Sequence, residues 1–310
     1  MDTTTEESSS ANPVVLSQES IGMKAALISS SVNVILAFVK IVSGIIGNSY
    51  ALIADGVEST LDIISSIIVW GGLKIAAEPP DDDHPYGHGK AESLAGVIVS
   101  FILIIVGIGI CYHGVYGIIH SDGLLPESYT IVVLIAIIVI KEVMFHYTLG
   151  VALRINSTSM KAEAWHHRSD ALTSFAALVG VSIAIYFNIP AADEYAALVG
   201  GLIILYNGGK IFKFSINEVM DSSAPENITI EMRKIILQHS EVREVSNCRI
   251  RKSGLKYLVH VDLQVDPNIS VLKGHEIAHE IEDDLLKHSE FSISDIIIHV
   301  EPFLEESGDV

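Results

Sequence analysis

YALIADGVESTLD, residues 50–62, sets three acids into an otherwise apolar segment: Asp55, Glu58 and Asp62. They recur at i, i+3 and i+7, so a helix carries them on one face. The apolar run continues to about residue 74, which exceeds the roughly 20 residues needed to cross a hydrocarbon core. A charged side chain at mid-membrane costs roughly 2.5–3.5 kcal/mol on insertion scales. Three like charges on one face also repel each other unless a cation or protons intervene. The segment therefore reads as a membrane helix built around positive charge.

Its surroundings agree. Of the 310 residues, 49% are hydrophobic and only 18% charged, with mean hydropathy +0.45; a soluble chain carries more charge. Six segments can span: about 24–46, 50–74, 91–119, 129–151, 161–188 and 193–215. Loop signals separate them, among them Gly47-Asn48-Ser49, Pro79-Pro80 and Asn188-Ile189-Pro190. With the N-terminus in the cytoplasm, the inner loops and helix ends hold Lys24, Lys74, Lys90, Arg154, Lys161, Lys210 and Lys213, and the outer loops hold no lysine or arginine. The expectation is a multi-pass protein of the plasma or inner membrane, with both termini cytoplasmic.

Three regions are expected: a disordered acidic, Ser/Thr-rich tail over 1–22, a six-helix transmembrane domain over 23–215, and a soluble domain over 216–310. The tail lacks the basic and apolar regions of a secretory signal. The formal net charge of −19 argues against nucleic acid and suits cations. The two cysteines, Cys111 and Cys248, imply no disulfide framework.

The fifth span opens on Glu163-Ala-Trp165-His166-His167-Arg168-Ser169-Asp170. His166 and Asp170 share a face at i, i+4, as Glu58 and Asp62 do on the second span. Together they offer one nitrogen and three oxygen donors, a set that suits a tetrahedral divalent ion. Asp55 is the alternative ligand, though its i+4 partner is Ser59, a poor one. A buried salt bridge to Arg168 is the rival reading, but one arginine does not neutralise three or four acids. Lys40, near an outer helix end, is expected to snorkel. Lys141 and Glu142 are adjacent and do not face each other, and no role follows for them.

After the second span, Asp81, His84 and His88 are spaced three and four apart, a spacing able to bind a second cation. The soluble region reads helix 226–239, strand 242–252, strand 256–265, helix 271–287 and strand 293–301, an αββαβ order that fits an open ferredoxin-like sheet. Gly254 falls in the turn between the strands and Ser270 at a helix N-cap. His275-Glu276-Ile277-Ala278-His279 fits the H-E-x-x-H zinc protease helix. That reading leaves the intramembrane acids unexplained. A membrane-anchored metal sensor is a further alternative, and it leaves the paired ligands on two helices unexplained.

These motifs resemble the cation diffusion facilitators. That family carries a four-residue transport site, two residues at i, i+4 on each of the second and fifth helices, matched here by Glu58/Asp62 and His166/Asp170. Residues 81–92 resemble the family's His- and Gly-containing loop, and Val219-Met220-Asp221 with Pro225 resembles its junction to the soluble domain. The resemblance implies proton-coupled export of a divalent cation, no organic cofactor and no enzyme activity, while the three carboxylates and one imidazole favour Zn²⁺, with Fe²⁺, Mn²⁺, Co²⁺ or Cd²⁺ as alternatives. It implies that the soluble part is a cytoplasmic, metal-responsive domain that forms a homodimer. It matches His260, His275, His299 and Glu301 to metal-binding positions there, with Ser246 where a histidine is usual. Lys90 and Asp221 match a charge interlock near the membrane surface. Glu58 departs from the family pattern of His or Asp.

Overall fold

The computed structural model describes residues 13–120, 124–155, 157–254, 256–288 and 292–304. Among these residues, eight helices and three strands follow in the order α1 (Pro13–Ile46), α2 (Tyr50–Ala76), α3 (Lys90–Ile119), α4 (Tyr129–Arg154), α5 (Thr158–Phe187), α6 (Ala191–Val219), α7 (Glu226–Ile236), β1 (Val242–Ser253), β2 (Lys256–Val265), α8 (Val271–His288) and β3 (Ile293–Pro302). Helix α1 starts at Pro13, so the segment expected as a tail over 1–22 is helical in its second half; residues 1–12 lie outside the described ones. Proline suits a first helical position, where its missing N–H is no loss and its φ is preset.

Five of the six long helices are apolar enough to cross a membrane. The other, α2, has 27 residues, about 40 Å of helix. What lowers its hydropathy is Asp55, Glu58 and Asp62. Left-handed asparagines turn the chain at Asn48 (φ 49°) and at Asn188 (φ 55°), which C-caps α5. Asparagine tolerates this backbone better than other side chains do.

The chain divides into two compact units, residues 1–67 with 102–208 and residues 68–101 with 209–310. This division cuts α6 at Gly208, earlier than the boundary at residue 215 expected from hydropathy. In the first unit α4 packs chiefly on α5, around Leu36, Ala51, Leu52, Leu134, Ile137, Ala177 and Val181. Ile35, Phe38, Ile105, Val132, Val143 and Leu172 point outward. A bundle with apolar side chains both inside and outside is suited to lipid. The helices approach closely through small residues: a Cβ on Gly180 would collide with Ala196, and one on Gly201 would meet Cys111 Sγ at 2.8 Å.

The second unit contains the αββαβ domain. Its sheet order is β1-β2-β3, with β1 antiparallel and β3 parallel to β2. The parallel pair needs a crossover, which α8 supplies. Ile228, Met232 and Ile236 on α7 and Ile277, Ile281 and Leu285 on α8 recur every fourth residue and bury one stripe of each helix. Val259, Val261, Leu263 and Val265 alternate along β2 and face them. Ser270 caps α8 through its Oγ, which accepts from Lys273 N at 3.2 Å. Helix α7 ends at Ile236, before the expected 239, because Gln238 and His239 turn back on the carbonyls of Ile235 and Ile236.

Candidate metal centre

Helices α2 and α5 bring Asp62, His166 and Asp170 together, with one ligand atom from each lying within 4.8 Å of the others. His166 Nε2 is 3.8 Å from Asp62 Oδ2, and His166 Nδ1 is 3.7 Å from Asp170 Oδ1. The histidine thus stands between two carboxylates from different helices. All three line a cavity of about 370 Å³ that Ser59, Asn33 and Glu163 also reach. Two carboxylates around one imidazole, beside a cavity, are a donor set that could hold a cation. An N-cap fixes the start of α5, where Ser157 Oγ accepts from Met160 N at 3.2 Å.

Glu58 is not a member of this group. It lines a neighbouring cavity of about 440 Å³ with Asp55 and Thr173. Asp55 has both oxygens engaged: Oδ1 accepts from Lys40 Nζ at 2.9 Å and Oδ2 from Ser174 Oγ at 2.7 Å. Those bonds hold it away from the ligand group. Lys40 does not snorkel as expected. It is fully buried and donates to Ser59 Oγ at 3.0 Å as well as to Asp55. Asp55 draws it inward, since a buried ammonium needs an anionic partner.

Lys141, for which no role was expected, meets the site directly. Its Nζ lies 2.5 Å from Asp170 Oδ2 and 2.8 Å from Asn33 Oδ1. Its neighbour Glu142 points elsewhere, with His146 Nε2 at 3.4 Å. A lysine inside a span was the available signal in the sequence, because such a charge needs a partner. Which acid it meets depends on how α4 packs on α5. Arg168 makes no acid bridge among the described contacts; it stacks on Phe145 at 4.8 Å and Trp165 at 5.8 Å.

His167 is fully buried next to the site. Ser29 Oγ donates to Glu163 Oε1 at 2.7 Å and lies 2.8 Å from His167 Nε2. A hydroxyl has one proton, so with Glu163 accepting it, His167 Nε2 must be the donor to Ser29. The ring is thereby oriented against α1.

In the second unit, Asp81, His84 and His88 also come within 4.8 Å. Asp81 Oδ1 is 3.1 Å from His84 Nδ1, and Oδ2 is 3.5 Å from His88 Nε2. The His84 backbone N–H, at 2.6 Å, and the two imidazoles hold the Asp81 carboxyl below the usual carboxylate range.

Lys90 Nζ lies 2.5 Å from Asp221 Oδ1 and donates to the carbonyls of Glu218 and Val219 at the end of α6. Arg251 takes the other Asp221 oxygen at 2.7 Å, and Lys252 reaches Glu218 at 3.0 Å and Glu92 at 3.5 Å.

In the αββαβ domain, His299 Nε2 is 3.7 Å from Glu301 Oε1, and His260 Nε2 is 3.5 Å from Asp262 Oδ1. Ser246 Oγ is 3.0 Å from Glu301 Oε2. Among the described residues, His260, His275, His299 and Glu301 form no common group of ligand atoms within 4.8 Å. In the H-E-x-x-H stretch, the His275 and His279 rings meet edge to face with centroids 4.4 Å apart, His279 pairs with Glu282 at 3.1 Å and Glu276 lies 3.9 Å from Lys273. No third ligand joins them among the described residues.

Residues 26–220 match the cation efflux transmembrane domain, and residues 224–303 match the cytoplasmic domain of cation efflux proteins. The chain is 32% identical over 295 residues to the manganese efflux system protein MneP of Bacillus subtilis (strain 168), covering 93% of this chain and 99% of that protein. It is 31% identical over 281 residues to the manganese efflux system protein MneS of the same organism, covering 91% and 96%. Among solved structures, the metal-bound C-terminal domain of the CzcD transporter from Thermotoga maritima is 32% identical, covering 24% of this chain and 87% of that one, with a TM-score of 0.24. Long apolar helices, both domain matches and the manganese efflux relatives lead to one conclusion: this chain belongs to the cation diffusion facilitator family of metal cation efflux transporters, and is a multi-pass membrane protein and not an enzyme.

Proposed function

We propose that the protein exports a divalent transition-metal cation from the cytoplasm, Mn²⁺ ahead of Zn²⁺, in exchange for protons. The observation that carries this is the Asp62–His166–Asp170 cluster, which α2 and α5 form at a cavity inside the helical unit. Two carboxylates and one imidazole suit ions that accept oxygen and nitrogen donors, and the lack of thiolate disfavours Cu⁺. Oxygen-rich surroundings and the manganese efflux relatives put Mn²⁺ first. Zn²⁺, the first expectation from the ligand types, is its main competitor. Glu58, about one turn from Asp62, is a fourth ligand to be recruited as the helices move.

The metal is the cargo. It binds to deprotonated Asp62, Asp170 and His166, so metal and protons compete for the same atoms. The helices then rock so that the site faces outward, where protons reclaim the ligands and expel the ion. Exporting a 2+ ion against an inside-negative potential takes about 2.3 kcal/mol per charge per 100 mV, and inward proton flow supplies it. The lysine and arginine bias of the loops supports a cytoplasmic position for both termini. The chain works as a homodimer through its αββαβ domain. Asp81, His84 and His88 form a second cation site. His260, His275, His299 and Glu301 hold regulatory metal once two copies meet.

The test is ion uptake into proteoliposomes. Wild-type protein should move Mn²⁺ faster under an imposed proton gradient of the exporting sense, and Asp62→Ala or Asp170→Ala should lower the flux at least tenfold, on the order of what losing a metal-site partner does. Flux unchanged in both variants would refute the site; indifference to the gradient would refute the proton coupling.

A further inference from the structure

Asp170 is divided between two tasks. Its Oδ2 is taken by Lys141 Nζ at 2.5 Å, while its Oδ1 faces His166 Nδ1 at 3.7 Å. Lys141 is itself held on a second side by Asn33 Oδ1 at 2.8 Å, and it is 1% exposed. A buried ammonium cannot leave its anion without a desolvation penalty. Asp170 therefore offers the cluster one oxygen and not two. Lys141 also cancels one unit of negative charge, which leaves Asp62, Asp170 and Lys141 with a single net negative charge when His166 is neutral.

Both effects bear on which ions fit. Ca²⁺ takes six to eight oxygens, often from bidentate carboxylates, and gains from every added anion. Ions that accept imidazole and few carboxylate oxygens lose less from a clamped Asp170. We propose that Lys141 is a specificity-determining positioning residue. By clamping Asp170 Oδ2 it keeps that ligand monodentate, lowers the charge of the site and excludes large, hard, oxygen-demanding dications such as Ca²⁺ from the transport path. The inference rests on the transport reading of the Asp62–His166–Asp170 cluster and adds a source of selectivity to it. Asn33 belongs to the same device, since it fixes the ammonium from α1.

The experiment uses the full chain in proteoliposomes and measures how well Ca²⁺ competes with Mn²⁺ for uptake, with calorimetric binding of each ion alongside. Lys141→Gln removes the charge and frees the Asp170 oxygen. Ca²⁺ should then compete at least about tenfold better relative to Mn²⁺, within the range over which ligand charge tunes Ca²⁺ affinity. Lys141→Arg keeps the charge and should restore the wild-type ranking. Asn33→Asp draws the ammonium from Asp170 and should shift the ranking in the same direction, by less. A uniform fall in flux with the ranking unchanged in Lys141→Gln would mean that the lysine is only structural. If Lys141→Gln does not fold, an unchanged ranking in Asn33→Asp overturns the proposal. Failure of the transport reading looks different: wild-type protein would move no divalent cation, or Asp62→Ala would move it equally well.

Discussion

At the scale of single residues, the membrane unit is organised by two buried lysines. Lys40 meets Asp55 at 2.9 Å, and Lys141 meets Asp170 at 2.5 Å. The pairs differ in what their acid has left to give. Asp55 spends its other oxygen on Ser174, whereas Asp170 keeps one for the cavity. The first pair is therefore structural and the second stands at the proposed ion site. Removing one partner from a buried pair strands the other charge, at about 3–5 kcal/mol, whereas replacing both with apolar groups is often neutral or stabilising. Lys40→Met should thus lower the thermal stability of the purified protein sharply, and Lys40→Met with Asp55→Leu should recover most of it. A double variant as unstable as the single one would show that the pair is not the source of the loss. The acids of α2 were readable from their spacing. Their separation into Asp55 as an ion-pair partner, Asp62 as a cluster member and Glu58 as a lining residue of the next cavity was not, because it depends on which neighbouring helix supplies a cation.

At the scale of elements, the junction after α6 joins three pieces of chain. Asp221 adopts a left-handed backbone (φ 57°) just past the helix and places its carboxylate between Lys90 at the start of α3 and Arg251 on β1. Partial burial works against its ionisation, but hydrogen bonds and charge from Arg251 and Lys90 outweigh it and hold the carboxyl below the usual range. A depressed folded value means that the stabilisation is complete above the ordinary aspartate value of about 3.9 and is lost as pH falls through the folded value. Asp221→Asn should therefore lower stability at neutral pH and flatten part of the acid limb below about pH 4. Melting curves of both proteins across pH check this, and parallel curves would contradict it. Lys90 and Asp221 were readable as a pair only through the family resemblance. Arg251, Lys252, Glu218 and Glu92 join them through the packing of β1 against the helix ends within the unit, and no periodicity in the sequence announces that.

At the scale of the whole molecule, charge distribution along the chain is the main guide to orientation. Seven lysines and arginines fall in loops and helix ends on one side of the span pattern, and none falls in the loops on the other. A protease site engineered after residue 304 should be cut only from the cytoplasmic face of sealed, oriented vesicles. Cleavage from the outer face would invert the topology and the proposed direction of export. The element order and two family matches agree that a helical part precedes a small sheet domain. The unit boundary nevertheless follows contacts and not hydropathy, since residues 68–101 group with 209–310.

The sequence by itself determined the helix count, the αββαβ order and the residue types of the proposed ion site. Each of these follows from local periodicity and from the cost of placing charge in hydrocarbon. Tertiary structure alone decided which acids are paired. Lys40 and Lys141 lie on the helices next to those of their acids, 15 and 29 residues away and beyond any helical spacing rule, and only the packing of α1 on α2 and of α4 on α5 sets each Nζ against one carboxylate oxygen. The αββαβ domain repeats the division. Its strands and helices were legible to within a few residues, while the sheet register, which sets His260 opposite Ile297 and His299 opposite Asp262, is a tertiary outcome that no local pattern states.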